Sequence, residues 1–403
     1  MKTIFFTHLR LSYFILCIFL TISCSKSNDS SLEPRQEEFN IHKLKDGYFL
    51  YVKKMNADST NSEIELYEFL SENLIQYYSV EGEQRLSYSI VDENSIETQE
   101  GTRFYFDGQN VISNIKRHKD VVLIKNPETD QLSGMNYFGQ LYDSHKNLFN
   151  TTRAIFNDEK VEINPVNKIV LRRKIGNFAT IFVDNGISSN NTYFMVLVNG
   201  NLETNMYVKE FGLKTHGTFY KFDINIFTGY TLFGKNAEGQ IALYNINAVF
   251  EQLLVMNGIV FMPYIIFTAE NRFEINSPER PKFIVDGKTV HSDLKGFEEL
   301  ALIKNPIYNQ LEGKTFIGTY YKANGDVLHP NFFYTFTNYQ VSAGLKLGTV
   351  IRTKNYIAVN SIVCYNLLAN GDIETMALIN GKLEVNYYDK ANQALYHGSF
   401  TQQ

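Results

Sequence analysis

The chain has 403 residues and a formal charge of −5 at pH 7, so it is long enough for two domains and lacks the basic excess that nucleic-acid binding favours. Tyr and Phe supply all of its aromatic residues, which make up 14% of the sequence, and Trp is absent. Because these side chains favour strands, the composition predicts an all-β protein. Only Cys364 follows residue 24, which excludes a disulfide framework and a cysteine metal cluster in that part.

The first 23 residues have the features of a secretory signal peptide. Lys2 and Arg10 give a basic start, and an apolar run from Leu11 to Ile22 follows. This run is shorter than the roughly 20 apolar residues that a membrane-spanning helix needs, and it ends at a small residue, Ser23. We therefore predict that residues 1–23 are removed from the mature protein.

The end of this segment, Leu20 to Cys24 with the sequence LTISC, resembles the lipobox of bacterial lipoproteins. The resemblance implies that Cys24 carries a fatty acyl chain such as palmitate and becomes the new N-terminus. Ser25 is similar to the residue that follows the lipidated cysteine in outer-membrane lipoproteins of Gram-negative bacteria, and the SKSND start is similar to those of the Bacteroidota. We therefore expect a lipid-anchored protein of the outer membrane, on either face. The alternative is an ordinary signal peptide in which Cys24 has no role.

Residues 24–45 are predicted to connect the lipid to the folded protein as a disordered tether. The stretch from Ser25 to Glu38 is polar, contains Pro34 and shows no apolar periodicity. Such a stretch cannot bury enough apolar surface to offset the entropy of ordering its backbone.

The remainder of the chain uses one module twice. The segment Met195–Phe219 recurs at Met376–Phe400 with an offset of 181 residues. A repeat of this kind indicates a duplicated structural unit. We predict tandem modules at residues 46–222 and 223–403. Residues of the first copy that are identical in the second include Asn199, Gly200, Glu203, Asn205, His216 and Gly217.

Turn signals divide each module into antiparallel strands. The dipeptides Asp107–Gly108 and Asn199–Gly200 lie between β-forming residues, as in two-residue hairpins. Leu123–Pro127 ends a strand, since proline has no N–H to donate, and Glu63–Tyr78 fits either a short helix or a strand. These patterns predict two antiparallel β-meanders closed as barrels or sandwiches. The alternative is a single eight-bladed β-propeller.

Two pairs of residues at matching positions are candidates for facing a ligand. His216 and His397 are the histidines shared by both copies, and the alternative is that they begin hairpins. Arg172 and Arg352 would either clamp an anion or lie at a strand edge. The shared Glu203, which alternates with asparagines along its strand, is expected on a solvated face together with its copy Glu384.

Two tyrosines complete the candidate ligand-facing residues. Tyr321 and Tyr388 each belong to an adjacent tyrosine pair, so one member of each pair faces outward if the segment is a strand. An outward tyrosine can stack on a sugar or contact a partner protein. Cys364 lies in an apolar strand and is predicted to be a small buried side chain.

The sequence assigns no catalytic residue, cofactor or metal. It contains no HExxH, GxSxG, Walker or CxxC motif. Because a catalytic centre is usually carried once, residues shared by both copies favour a non-enzymatic lipoprotein that binds a ligand, a glycan or an envelope protein at the outer membrane. The alternative is a glycan-active or other hydrolase on a β scaffold.

Overall fold

The computed structural model describes residues 40–55, 62–164, 168–185, 190–246, 254–256, 259–261, 264–276, 283–292 and 297–403. The predicted signal peptide, Cys24 and most of the predicted tether lie outside these residues. A short 3₁₀ helix spans Ile41–Lys43. Its first residue, Ile41, and the following Leu44 are buried, although both lie within the predicted tether range. Within the described ranges no helix is long and apolar enough to cross a membrane.

The first strands form a closed antiparallel barrel. In chain order they are β1 (Tyr48–Met55), β2 (Ser62–Phe69), β3 (Leu74–Ser79), β4 (Gly82–Asp92), β5 (Ser95–Thr98), β6 (Arg103–Asp107), β7 (Asn110–Ser113) and β8 (His118–Lys125). Each pairs with the next, and β8 pairs with β1, so no edge is left open. The segment Glu63–Tyr78 therefore belongs to two strands, β2 and β3, and not to a helix. The turn that joins β6 to β7 consists of Gly108 and Gln109, one residue later than the predicted Asp107–Gly108, because Asp107 pairs with Asn110.

The next strands form a nine-stranded sheet. They are β9 (Asn136–Tyr142), β10 (Leu148–Phe156), β11 (Lys160–Asn164), β12 (Lys168–Leu171), β13 (Arg173–Ile175), β14 (Ala179–Asn185), β15 (Asn190–Val198), β16 (Asn201–Val208) and β17 (Leu213–Lys221). Their order is β12-β11-β10-β9-β17-β16-β15-β14-β13. The two edge strands are consecutive in the chain and separated only by Arg172, so the sheet curls until its edges meet there. The Asn199–Gly200 turn joins β15 to β16 as predicted, with positive φ at both residues.

A helical turn, α1 (Ile224–Phe227), precedes two smaller sheets. The five-stranded sheet contains β18 (Tyr230–Asn236), β19 (Ile241–Ile246), β20 (Leu254–Met256), β21 (Ile259–Phe261) and β26 (Phe297–Lys304), in the order β21-β20-β19-β18-β26. The four-stranded sheet contains β22 (Tyr264–Ala269), β23 (Arg272–Asn276), β24 (Phe283–Asp286) and β25 (Thr289–Ser292) in chain order. The pairing of β18 with β26 repeats that of β1 with β8.

The last sheet repeats the order of the first nine-stranded sheet. Its strands are β27 (Thr315–Lys322), β28 (Val327–Thr337), β29 (Gln340–Gly344), β30 (Arg352–Asn355), β31 (Ile357–Ala358), β32 (Val363–Leu367), β33 (Ile373–Ile379), β34 (Lys382–Asp389) and β35 (Ala394–Gln402). They run β30-β29-β28-β27-β35-β34-β33-β32-β31, and only Tyr356 separates the two edge strands. We call this the C-terminal barrel-like sheet.

These sheets confirm the predicted all-β class with antiparallel, barrel-like meanders. The described strands form curled sheets and not propeller blades. Cys364 is buried, as its apolar strand predicted. Residues Ile41–Gln403 form one compact unit. Whether residues 46–222 and 223–403 fold independently stays a prediction.

Hydrogen bonds from residues shared by both copies join neighbouring sheets. Asn205 on β16 accepts a hydrogen bond from the backbone N–H of Ile64 on β2. Its counterpart Asn386 on β34 accepts one from the N–H of Ile241 on β19 at 2.8 Å. Both asparagines are buried, and apolar side chains surround each junction. The identical residues in the repeat therefore preserve the contact between two sheets.

The carboxylates of Glu203 and Glu384 lie in the same two junctions, so the expectation of a solvated face was wrong. Lys53 Nζ is 3.0 Å from Glu203, and Lys235 Nζ is 2.9 Å from Glu384. The two glutamate side chains are only 12% and 10% exposed. Alternation along a strand separates its two faces, but it does not reveal that a second sheet covers the polar face.

The buried asparagine gives the first testable prediction. Asn205→Ala should lower the free energy of unfolding by about 1–3 kcal/mol, because it leaves the buried N–H of Ile64 without an acceptor. Asn110→Ala, on an exposed position of β7, is the control and should change it by less than about 0.5 kcal/mol. Urea unfolding measures both, and equal losses would contradict a structural role for Asn205.

Candidate functional site

The C-terminal barrel-like sheet holds a cavity at one end. The connections β27–β28, β29–β30, β32–β33 and β34–β35 all lie at that end, because the strands alternate in direction. The cavity has a volume of about 330 Å³, within the usual range for small-molecule sites. Aromatic and aliphatic side chains supply most of its wall, with one ion pair among them. The lining residues are Tyr320, Leu328, His329, Phe332, Ile351, Arg352, Glu374, Tyr387 and Tyr396.

The polar centre of the cavity is Glu374 on β33, whose side chain is completely buried. Its Oε1 accepts hydrogen bonds from the hydroxyls of Tyr320 and Tyr334 and from Arg352 Nη2. Its Oε2 accepts one from Asn366 Nδ2 at 2.9 Å. A buried carboxylate is tolerated only when such donors replace the water it has lost. The strands place four donors around this one group.

Ionisation states in the cluster follow from burial and from the charge of Glu374. Burial, together with that negative charge, raises the pKa of Tyr320 and Tyr334 well above their usual value, so both hydroxyls keep their protons and donate. Burial alone would lower the pKa of Arg352, but Glu374 raises it overall. The guanidinium therefore stays charged at any physiological pH.

A second carboxylate, Asp372, supports the wall of the cavity from behind Tyr387. It accepts hydrogen bonds from the hydroxyl of Tyr387 and from the backbone N–H of Lys390. Burial raises the pKa of Asp372, yet these hydrogen bonds lower it overall. The ring of Tyr387 lies 6.0 Å from the guanidinium carbon of Arg352, within reach of a cation–π contact. Asp372 thus fixes the ring against which Arg352 packs.

This polar cluster is built in only one of the two nine-stranded sheets. Glu374 pairs across the sheet with Asn366, whereas the matching cross-strand pair of the first copy is Tyr193 and Phe182. Those two rings stack at 5.0 Å and fill the space with apolar surface. The second copy therefore has a carboxylate and an amide where the first copy has two aromatic rings.

Strand pairing contradicts the predicted match between Arg172 and Arg352. Arg172 is the single residue between β12 and β13, and Tyr356 is the single residue between β30 and β31, so these two correspond. Arg172 pairs with Asp130, whereas Arg352 lies inside β30 and pairs with Glu374.

Of the six residues that the sequence nominated as ligand-facing, Arg352 lines the cavity. The side chain of Arg172 is fully buried. His216 Nε2 lies 2.9 Å from Glu203 in a sheet junction, and the ring of His397 stacks on Tyr321 at 5.7 Å. Tyr321 and Tyr388 are half-buried and stand outside the cavity lining. A role in ligand binding stays a prediction for each of these residues.

Sequence reasoning missed Glu374, Tyr320 and Tyr334. Each lies at an ordinary alternating strand position, and nothing in the local pattern separates them from their neighbours. A comparison of the two copies at the 181-residue offset would have shown a carboxylate, Glu374, where the first copy has Tyr193. A charged residue that replaces a core aromatic is the signal that was available.

A second cleft lies between the first barrel and the turn that joins β15 to β16. It is larger, at about 440 Å³, but its wall is mainly polar. Lys119, Asp120 and Asn201 are among its lining residues. The described residues contain no group of three or more His, Cys, Asp or Glu side chains that could hold a metal ion. The cavity of the C-terminal barrel-like sheet is the better candidate, because it joins apolar walls to a few fixed polar groups.

No protein-family model matches the chain, and no curated protein matches it in sequence. Among solved structures it is similar to intact Ap-TbpB with its N and C lobes, at 10% identity, 88% coverage of this chain, 94% of that chain and a TM-score of 0.22. The isotype 1 transferrin binding protein B of serogroup B Neisseria meningitidis matches at 10% identity, 78% and 86% coverage and a TM-score of 0.21. A protein of unknown function from the DUF3598 family of Nostoc punctiforme matches at 10% identity, 68% and 96% coverage and a TM-score of 0.14. Scores this low carry no argument about function.

Proposed function

We propose that this protein is a lipid-anchored binding protein of the outer membrane and that it holds a small ring-containing ligand in the C-terminal barrel-like sheet. The observation that carries the binding role is the cavity itself, in which apolar and aromatic walls surround the fixed Arg352–Glu374 pair. Apolar walls supply affinity, and a few placed polar groups supply orientation. The anchor is supported by the resemblance of residues 20–24 to a lipobox.

Binding is favoured over hydrolysis by the state of the carboxylates. A glycoside hydrolase needs one carboxyl group to donate a proton and another to attack the substrate or activate water. Both oxygens of Glu374 already accept hydrogen bonds from protein donors, and Asp372 is held by Tyr387 and Lys390. Turnover of a polysaccharide that Glu374→Gln abolishes would contradict a purely binding role.

A dye titration tests the cavity. N-phenyl-1-naphthylamine, a neutral apolar dye, should bind one molecule per chain with increased fluorescence. Leu328→Trp should weaken this binding by at least about tenfold, because the larger ring fills the cavity. Leu148→Trp is the control, since Leu148 begins the corresponding strand β10 of the first nine-stranded sheet and is 42% exposed. Equal affinity in both variants, or no dye binding by the unmodified protein, would reject the site.

A labelling experiment tests the anchor. Cells given labelled palmitate should incorporate it into the protein, and Cys24→Ser should abolish the label and release the protein from the membrane fraction. Cys364→Ser is the control and should leave the label unchanged, since that thiol is buried. A wild-type protein without label would contradict lipidation.

A further inference from the structure

The carboxylates around the cavity have little capacity left for a ligand. Glu374 already accepts hydrogen bonds from the four donors described above. Asp372 accepts from Tyr387, Lys390 and the side-chain amide of Asn370. A ligand that offers mainly donors, such as an amine, therefore meets acceptors that are already occupied.

Arg352 presents the opposite situation. Its guanidinium carries five N–H donors, and the one hydrogen bond that it makes to the described residues runs from Nη2 to Glu374. Its side chain is 22% exposed and lines the cavity. One two-donor edge of the guanidinium is therefore left for a ligand. The hydroxyl of Tyr396 and the ring nitrogens of His329 likewise have no hydrogen-bond partner among the described residues.

Rings surround this donor edge. Tyr387 lies beneath Arg352, and the ring of Tyr396 is 6.0 Å from that of Tyr387. On another part of the wall His329 stacks on Phe332 at 6.2 Å. Flat aromatic walls favour a flat ligand body, which stacks on them without leaving gaps.

We propose that the ligand is a monocarboxylic acid on an aromatic or other cyclic body, and that Arg352 binds its carboxylate. This proposal rests on the binding role above and narrows it to one ligand chemistry. A guanidinium edge matches the two oxygens of a carboxylate, and such charge-assisted pairs are stronger than neutral hydrogen bonds. The two phenols and the amide around Glu374 disperse its negative charge, which limits its repulsion of a second carboxylate.

The role assigned to Glu374 is to position Arg352 and to moderate its charge. Its hydrogen bond with Arg352 Nη2 holds the guanidinium against Tyr387, at the cost of a negative charge near the ligand. Glu374→Gln keeps a side chain of the same shape and removes that charge. The variant should therefore bind an acid more tightly than the unmodified protein does, which a merely structural role would not produce.

Competition between two probes of equal shape tests the proposal. We expect 2-naphthoate to displace N-phenyl-1-naphthylamine at a concentration at least about tenfold lower than 2-naphthamide, its neutral analogue. Arg352→Met should remove this preference, because it should weaken binding of 2-naphthoate far more than binding of 2-naphthamide. Glu374→Gln should strengthen binding of 2-naphthoate alone. Arg173→Met is the control, because that arginine is exposed and pairs with Glu83, so both affinities should stay the same.

The outcomes separate this proposal from the function on which it rests. Equal displacement by the acid and the amide, with the dye still bound, would overturn the carboxylate ligand and keep the cavity as a binding site. Absence of dye binding would overturn both. If Arg352→Met does not fold, Glu374→Gln decides: unchanged or weaker binding of 2-naphthoate by a folded variant, checked by circular dichroism, would overturn the proposal.

Discussion

Arg352→Met should lower the free energy of unfolding by about 3–5 kcal/mol. The substitution leaves the buried carboxylate of Glu374 without its cationic partner, and removal of one member of a buried ion pair carries a cost of this size. Urea unfolding measures the change. Arg173→Met, which breaks the exposed pair with Glu83, should cost no more than about 1 kcal/mol.

Substitution of the other member of the ion pair, Glu374, distinguishes the effect of an unpaired buried charge from a loss of packing. Glu374→Gln should cost less than Arg352→Met, because the glutamine oxygen still accepts from Tyr320, Tyr334 and Arg352. The Oδ1 atom of Asn366 is buried without a hydrogen-bond partner, so rotation of the Asn366 amide lets it accept from the new Nε2. If the two variants were equally destabilised, the orphaned charge would not be the cause.

Acid should destabilise the protein through the junction between the first barrel and the first nine-stranded sheet. Burial alone would raise the pKa of Glu203, but the hydrogen bond and charge of His216 and the charge of Lys53 bring it down to about 2. The folded-state pKa thus lies below the ordinary glutamate value of 4.5, so this stability is present above pH 4.5 and is lost as the pH falls towards 2. The difference corresponds to about 3 kcal/mol.

His216 changes stability in the same direction at higher pH. Burial lowers its pKa from the ordinary value of 6.5, despite the opposing effect of Glu203. Below pH 6.5 the unfolded chain takes up a proton that the folded protein resists, so stability again falls as the pH falls. Glu203 and His216 therefore both lower the free energy of unfolding as the pH falls from 6.5 towards 2.

Unfolding in urea at several pH values tests the acid response. Glu203→Gln should be less stable than the unmodified protein at pH 7 and should lose little more between pH 4.5 and pH 2 from this site. Glu210→Gln, at an exposed position, is the control and should follow the unmodified protein. If the free energy of unfolding fell as steeply between pH 4.5 and pH 2 in Glu203→Gln as in the unmodified protein, Glu203 would not be the cause of the acid response.

Local chemistry predicted much of the strand arrangement. The Asn199–Gly200 turn lies where the sequence placed it, because a two-residue hairpin needs positive φ and these residue types allow it. The turn between β6 and β7 lies one residue later than predicted, with Gly108 taking the positive φ at its first position. The segment Glu63–Tyr78 stayed ambiguous, since its apolar positions fit two periods. Pairing with β1 and β4 decides it, and such long-range pairing is not visible in a short window.

The burial of Glu203 and Asn205 shows what strand alternation leaves out. Their face is polar, and a polar face is usually solvated. Here the first barrel covers it, and Lys53 on β1 and Ile64 on β2 pair with its polar groups, so the shared residues of the repeat are explained by contact between sheets. The identity of residues between two copies of one module records a common structural need as readily as a common ligand.

The search for residues shared by both copies did not find the candidate site, because its residues differ between the copies. Glu374 and Asn366 differ from their counterparts Tyr193 and Phe182, so a search for shared residues passes over them. Arg352 was nominated because the sequence offset aligned it with Arg172, although the strand order matches Arg172 to Tyr356 instead. Function in this chain is better sought where the two copies diverge.

The most direct test of the proposed cavity site is a crystal structure of the protein with a brominated derivative of N-phenyl-1-naphthylamine. We expect one anomalous bromine peak per chain within the cavity, bounded by Tyr320, His329 and Tyr387. An empty cavity with bromine bound only elsewhere on the protein would contradict the assignment of the C-terminal barrel-like sheet as the ligand-binding site.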